Sequence, residues 1–347
     1  MNISFILPNG EKSGCVRSTV RLANGLIERG HEVRLLIYKD KFSTKKLRPI
    51  IRNAWFKRCY PDAIDLPRQF KGRIITFQDI NQCNFNKDEI VVATGTWSCK
   101  EANKLYVNGI KKIHNIRGQI PWERELMREA WSEDVPKVAV ATYLKQIVRE
   151  ICGREVSAVI PNGIDTSEYY PSVQESQRDG IGTIFHLSRH KDPKTVLAVL
   201  RKLRKDYFDV PQRVFGVSRK PKELDHRLYV RLPTTDKARD IYSHSIVWIM
   251  ASSSEGFPNP VLEAMACGCA VIATDCGGPR DIITDGENGF IVKVGNVDKI
   301  VDKVKLLLNN PVLRRKITSK ARETANKFTW ENSIDKWKNF LEQIDKG

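Results

Sequence analysis

Short apolar runs alternate with amphipathic stretches along nearly all of this 347-residue chain, and the alternation breaks once and restarts. Asn2–Leu7 is an apolar run followed by a glycine-containing loop (Pro8 to Gly14) and a helical stretch to about Arg29. That stretch carries Val16, Val20, Leu22, Ala23, Leu26 and Ile27 on one face, and Gly30 closes it. Glu32–Tyr38 reads as the next strand, with further strands at Arg73–Phe77, 89–93, Lys111–Ile116, 137–140 and 156–160 and helices near 122–133 and 142–152. Pro161-Asn162-Gly163-Ile164-Asp165 interrupts the pattern. It resumes with strands at 183–187, 214–216, 228–232 and 246–251, a helix from Pro193 and another at 237–242. Strand–helix alternation of this kind builds a parallel sheet with crossover helices. Two such series in one chain predict two α/β domains, each long enough for its own core.

Composition narrows the class. A hydrophobic content of 41% is ordinary for a globular protein. No apolar run approaches the roughly 20 residues that cross a bilayer. The opening residues MNISFILPNG lack a basic region ahead of the apolar run and read as a first strand, not a signal peptide. Eight cysteines are scattered without Cys-x-x-Cys pairs, as expected of reduced thiols in a cytoplasmic protein. Cys267 and Cys269 have no partners at zinc spacing and read as packing residues. The net charge of +17 implies attraction to something anionic. Aromatic-rich nucleic-acid motifs are absent, and no nucleic-acid partner is expected.

Residues 251–277, ASSSEGFPNPVLEAMACGCAVIATDCG, carry the strongest chemical signal. Glu255 and Glu263 flank a turn (Gly256, Phe257, Pro258) and a helix opening near Asn259 and Pro260. Unpaired N–H groups and the helix dipole favour an anion at such a start. Pro258 and Pro260 donate no N–H, which limits the amides available at this turn. A carboxylate on each side can hold hydroxyl groups of a ligand whose phosphates sit on those amides. Phosphates with hydroxylated sugars on both sides describe a nucleotide-sugar.

This segment resembles the Glu-x7-Glu motif of the retaining family-4 glycosyltransferases. The likeness continues through Gly268, the apolar strand Ala270–Thr274, Gly277-Gly278 and Asn288-Gly289-Phe290, with Asp281 where Glu is more usual. Pro161–Asp165 also resembles that family's linker, and Gly14 with Glu28-Arg29-Gly30-His31-Glu32 resembles its start. The resemblance implies the GT-B fold: two facing Rossmann-like α/β domains with parallel sheets and a cleft between them. Residues 1–163 would be the acceptor side, 164–329 the nucleotide-sugar side, and a final helix from about 330 to 347 would cross back to the first domain.

Further residues take their roles from the same resemblance. Arg189 and Lys194 lie in Ser188-Arg189-His190-Lys191-Asp192-Pro193-Lys194, between a strand and the helix that Pro193 can start. They are similar to the family's Arg-x4-Lys pair, whose charges stabilise a departing diphosphate. His190 and Lys191 are expected on the surface. Gly14 is expected beside the donor. At the end of 111–116, either His114 or Arg117 is expected to face substrate. Glu255 would hold the donor sugar and Glu263 the nucleotide ribose. No cofactor or metal is implied, since Arg189 and Lys194 supply the cations.

The implied reaction is transfer from a UDP- or GDP-linked sugar to an acceptor hydroxyl, with retention through front-face attack assisted by the leaving phosphate. The acceptor is expected to be a saccharide or lipid-linked saccharide in cell-surface polysaccharide or glycolipid assembly. Residues 39–73, with Lys45, Lys46, Arg48, Arg52, Lys57 and Arg58 among Phe42, Ile50, Trp55 and Phe56, have the composition of a segment that meets anionic membrane or of a solvated helix. A cytoplasmic enzyme peripheral to the inner membrane face follows from the first. The alternatives are a nucleotide-sugar epimerase on the same fold, which would need its own acid–base set, and a non-catalytic module for anionic polymers.

Overall fold

The computed structural model describes residues 1–8, 14–38, 69–224 and 228–346. The chain divides into two compact units, Met1–Asn162 with Trp330–Gly347, and Gly163–Thr329. Residues 10–13 of the glycine loop and most of the basic 39–73 segment lie outside the described residues.

The first unit contains a parallel sheet of β1 (Asn2–Leu7), β2 (Glu32–Tyr38), β3 (Arg73–Phe77), β4 (Ile90–Thr94), β5 (Lys111–Ile116), β6 (Lys137–Ala139) and β7 (Ala158–Val159), in the order β3-β2-β1-β4-β5-β6-β7. Helix α1 (Gly14–Glu28) links β1 to β2 and covers the sheet with Val16, Val20, Ala23 and Leu26. Between β4 and β7 lie α2 (Thr96–Ala102), α3 (Arg124–Trp131) and α4 (Leu144–Cys152). The central strands are buried on both faces, as in parallel sheets, so β4 reads as the unbroken apolar run Ile90, Val91, Val92, Ala93.

The last helix of the chain, α10 (Trp330–Lys346), packs on α1 in this same unit. Ile334, Trp337 and Leu341 join the core of Phe5, Leu26, Leu35 and Val92. Gly25 admits this approach, because a Cβ there would overlap the Ile334 side chain. The Arg29 guanidinium donates to Asp335 at 2.8 Å, and Ser333 Oγ donates to Pro161 O at 2.7 Å.

The second unit repeats the plan with β8 (Gly180–Ile184), β9 (Gln212–Gly216), β10 (Tyr229–Arg231), β11 (Ser245–Met250), β12 (Ala270–Thr274) and β13 (Phe290–Val292). Its order is β10-β9-β8-β11-β12-β13, all parallel. The helices are α5 (Pro193–Asp206), α6 (Thr235–His244), α7 (Asn259–Ala266), α8 (Val297–Asn309) and α9 (Pro311–Ala325). Its core joins Ile181, Leu200, Val247, Ile272, Val304 and Leu307.

One strand sits differently from the expectation: β8 spans Gly180–Ile184, not 183–187. Gly180 and Gly182 look like breakers in the sequence, yet they lie in a central strand. A Cβ on Gly182 would overlap the fully buried Trp248 ring, so the glycine makes room for the indole of β11. In both sheets the strand order reverses beside the first strand, between β1 and β4 and between β8 and β11. Ligands of doubly wound sheets bind outside the strand ends at such a switch point.

Candidate active site

In the second unit the loops leaving β8 and β11 meet at the switch point. Phe185–Asp192 follows β8 and closes in a 3-10 turn, Arg189–Lys191. Asp192 then takes the left-handed conformation (φ 44°), unusual for a residue with a side chain. Its carboxylate compensates by capping α5, accepting from Thr195 N at 3.2 Å and Thr195 Oγ1 at 2.6 Å, and Pro193 starts the helix. The β11 loop docks on this turn: Ser253 N donates to His190 O at 2.8 Å and Ser254 N to the same oxygen at 3.3 Å. The two segments that the sequence singles out separately are therefore one structure.

Glu255 is stitched to the loop after β12. Its N–H donates to Cys276 O at 3.3 Å and its carbonyl accepts from Gly278 N at 3.1 Å. Gly278 lies against the turn that carries Gly256 and Pro258. A Cβ there would overlap the Gly256 carbonyl oxygen and stand 3.0 Å from Pro258 Cδ. The paired glycines thus let two loops touch. Phe257 buries its ring against Phe328, with centroids 5.8 Å apart, and anchors the turn. Asn259 opens α7, and its N–H donates to Phe257 O at 3.1 Å.

The carboxylates differ in surroundings. Glu255 Oε1 accepts from Ser252 Oγ at 2.6 Å and from Lys191 Nζ at 2.5 Å. Lys191 is therefore not the surface residue expected: its side chain is 26% exposed and paired, beside a Glu255 side chain 11% exposed. Glu263, one helical turn into α7, is 6% exposed, and its Oε2 accepts from Tyr242 OH at 2.8 Å. Tyr242 is itself fully buried against Trp248 and Phe215. Burial, and then the adjacent Glu263 charge, push its ionisation well above the usual phenol range, so it stays a donor. Arg189, on the 3-10 turn, and Lys194, in the first turn of α5, are both exposed.

Two histidines flank the pair. His186 Nδ1 accepts from Ser188 N at 2.9 Å, and His190 stands beside it with ring centroids 6.4 Å apart. Burial first, and the Lys191 ammonium second, hold both below the usual imidazole range. The Cys276 thiol below them is pushed up to about 12 by burial and is not a nucleophile.

In the first unit, Gly14 opens α1 and Arg117 follows β5; the structure brings them together through Ser18. Its hydroxyl donates to Gly14 O at 2.8 Å and accepts from Arg117 Nη2 at 2.6 Å. His114 goes elsewhere. It is fully buried in the middle of β5, and neither ring nitrogen has a hydrogen-bond partner among the described residues. Its Nε2 lies 3.7 Å from Glu133 Oε2, and burial, then Lys137 and Lys112, push it down to about 3. A neutral, enclosed ring offers no surface to a ligand, and of the two alternatives only Arg117 stands at the strand end.

Lys191, Ser252 and Tyr242 escape sequence reasoning. Lys191 has no spacing that distinguishes it from 57 other Lys and Arg residues among the 58 in the chain. Tyr242 reaches Glu263 across 21 residues through the fold alone.

Residues 174–324 match the family model of glycosyl transferases group 1. The second unit therefore carries a glycosyl transferases group 1 domain, and the chain is a glycosyltransferase, an enzyme of class EC 2.4. An uncharacterized glycosyltransferase of Haemophilus influenzae is 24% identical over 97% of this chain and 98% of its own length. The poly(ribitol-phosphate) alpha-N-acetylglucosaminyltransferase of Staphylococcus aureus is 32% identical over 35% of this chain, which spans about a quarter (24%) of that enzyme. Among solved structures, Anabaena HepE in complex with UDP-glucose superposes with a TM-score of 0.77 at 14% identity, over 99% of this chain and all of that one. The fold is the GT-B architecture of such neighbours, built from two Rossmann-like α/β domains.

Proposed function

We propose that the protein is a retaining glycosyltransferase that moves a sugar from a nucleotide diphosphate donor to an acceptor hydroxyl. The observation that carries this reading is the placing of Glu255 and Glu263 on either side of the α7 start, at the switch point, with the Arg189–Lys194 loop docked against it. In it, Glu263 accepts from the ribose hydroxyls and Glu255 from the donor sugar. The turn Gly256, Phe257, Pro258 and Asn259 lies along the diphosphate. As the bond from the anomeric carbon to the phosphate oxygen breaks, Arg189 and Lys194 take up the charge growing on the diphosphate. The acceptor oxygen bonds to the same face of that carbon, and its proton passes to the leaving phosphate oxygen. Two fixed cations replace a metal ion in this scheme.

UDP- or GDP-linked donors fit a neighbour solved with UDP-glucose. A saccharide or lipid-linked acceptor fits relatives named for poly(ribitol-phosphate) and phosphatidyl-myo-inositol. Among the described residues no helix is long and apolar enough to cross a membrane. The basic 39–73 segment is our choice for contact with an anionic membrane surface on the cytoplasmic side. The Gly14–Ser18–Arg117 group is read as a place for an acidic group of donor or acceptor. The test is a thermal-shift and hydrolysis screen against UDP-, GDP-, ADP- and dTDP-sugars, with the anomeric configuration of any product read by NMR. Stabilisation and slow hydrolysis with one donor class, releasing the α-anomer from an α-linked donor, support the reading. Release of the β-anomer would remove retention, and no response to any donor would remove the function.

A further inference from the structure

We propose that Lys191 and Glu255 act as one paired donor and acceptor for two neighbouring hydroxyl groups of the transferred sugar, which makes Lys191 a determinant of donor-sugar recognition. This rests on the donor reading above.

Lys191 Nζ and Ser252 Oγ both address Glu255 Oε1, at 2.5 and 2.6 Å, so the carboxylate is oriented from two sides. The backbone under Lys191 is fixed as well. His190 O accepts two N–H groups from the β11 loop, and Asp192 caps α5 from a left-handed turn. The pair is neither open nor sealed, with side chains 26% and 11% exposed. A ligand reaches it, yet water does not screen it fully.

A carboxylate alone only accepts hydrogen bonds. A hydroxyl beside one that donates to Glu255 would meet no complementary donor. The ammonium has three N–H groups and commits one to Glu255, so it can donate to that second hydroxyl. Charge balance points the same way. Burial, and then Lys191, hold His186 and His190 below the usual imidazole range, and Lys191 is the cation hydrogen-bonded to Glu255. Arg189 on the same turn and Lys194 in the first turn of α5 are exposed and assigned to the phosphates. Lys191 then serves the sugar and they serve the leaving group, which separates affinity for the sugar from affinity for the nucleotide.

The experiment is calorimetric titration of wild type, Lys191→Met, Lys191→Arg, Glu255→Gln and the double variant Lys191→Met/Glu255→Gln. The probes are the donor that most raises the melting temperature among UDP-, GDP-, ADP- and dTDP-sugars, and its parent nucleoside diphosphate. Lys191→Gln replaces Lys191→Met if the latter does not fold. Lys191→Met is expected to weaken the diphosphate sugar about tenfold and the parent nucleotide by less than about twofold. Lys191→Arg should recover part of the loss. The double variant should be no weaker than Glu255→Gln alone, because coupled residues are not additive. Equal loss on sugar and nucleotide, unchanged donor affinity, or additivity in the double variant would overturn the proposal while leaving the donor reading standing. A wild-type chain that binds no sugar more tightly than the parent nucleotide would overturn both.

Discussion

Glu263 and Tyr242 show how one buried hydrogen bond can prepare a binding residue. The fully buried phenol donates to one oxygen of the nearly buried carboxylate at 2.8 Å. Removing Glu263 strips the nucleotide of charge-assisted bonds worth roughly 1.5–3 kcal/mol each, so Glu263→Ala should lose most nucleoside diphosphate affinity in a folded protein. Tyr242→Phe removes a buried hydrogen bond to a charged group, which costs roughly 1.5–3 kcal/mol. It should lower the unfolding midpoint and weaken nucleotide binding together, as denaturant titration and calorimetry would read. His114 makes a prediction of the opposite kind. Its imidazole is pushed down to about 3 in the folded chain, against about 6.5 unfolded. Between those values the unfolded chain binds the extra proton, so acid favours unfolding by up to about 1.4 kcal/mol per pH unit. Stability should fall as pH drops below about 6.5, and His114→Phe should flatten that slope without moving nucleotide affinity.

At the scale of elements, the site is a set of loops held by glycines and caps. Gly278→Ala would place a Cβ on the Gly256 carbonyl and displace the turn before α7. Weakened nucleotide binding with a modest loss of stability is expected, whereas unchanged binding would show that the turn tolerates the shift. Arg189→Ala or Lys194→Ala should lower turnover at saturating donor more than donor affinity, since their charge matters most as the diphosphate departs. Much of this was legible in the chain. The apolar runs of β4 and β12 are nearly unbroken, and the Glu255–Glu263 segment announces its turn and helix in order. The position of β8 was not legible, because Gly182 answers to Trp248, a residue 66 positions away. Helices α8 and α9 fall outside the sequence reading, although Ile300, Val301, Val304 and Leu307 stand at helical spacing along α8. The Lys191–Glu255 pair was hidden for the same reason as Tyr242, since only folding brings its members together.

For the molecule as a whole, two parallel sheets with the same reversal of strand order supply two switch points, and the second holds the carboxylate pair. Under the proposed function, the net charge of +17 favours an anionic diphosphate donor. If residues 39–73 meet membrane, sedimentation with anionic vesicles should exceed that with neutral ones and fall as salt rises. Replacing Lys45, Lys46, Arg48 and Arg52 with Gln should abolish it while sparing donor hydrolysis. Chelation by EDTA should leave turnover intact if Arg189 and Lys194 supply the cations, and a loss restored by a divalent ion would contradict that assignment. The central claim is that the α7 start of the second unit holds a nucleotide diphosphate sugar between two glutamates. Calorimetric titration of wild type and Glu263→Ala with the donor selected by the screen tests it most directly. Saturable binding by the wild type, reduced at least tenfold in a variant that still folds cooperatively, is the predicted result; equal affinities in the two proteins would contradict it.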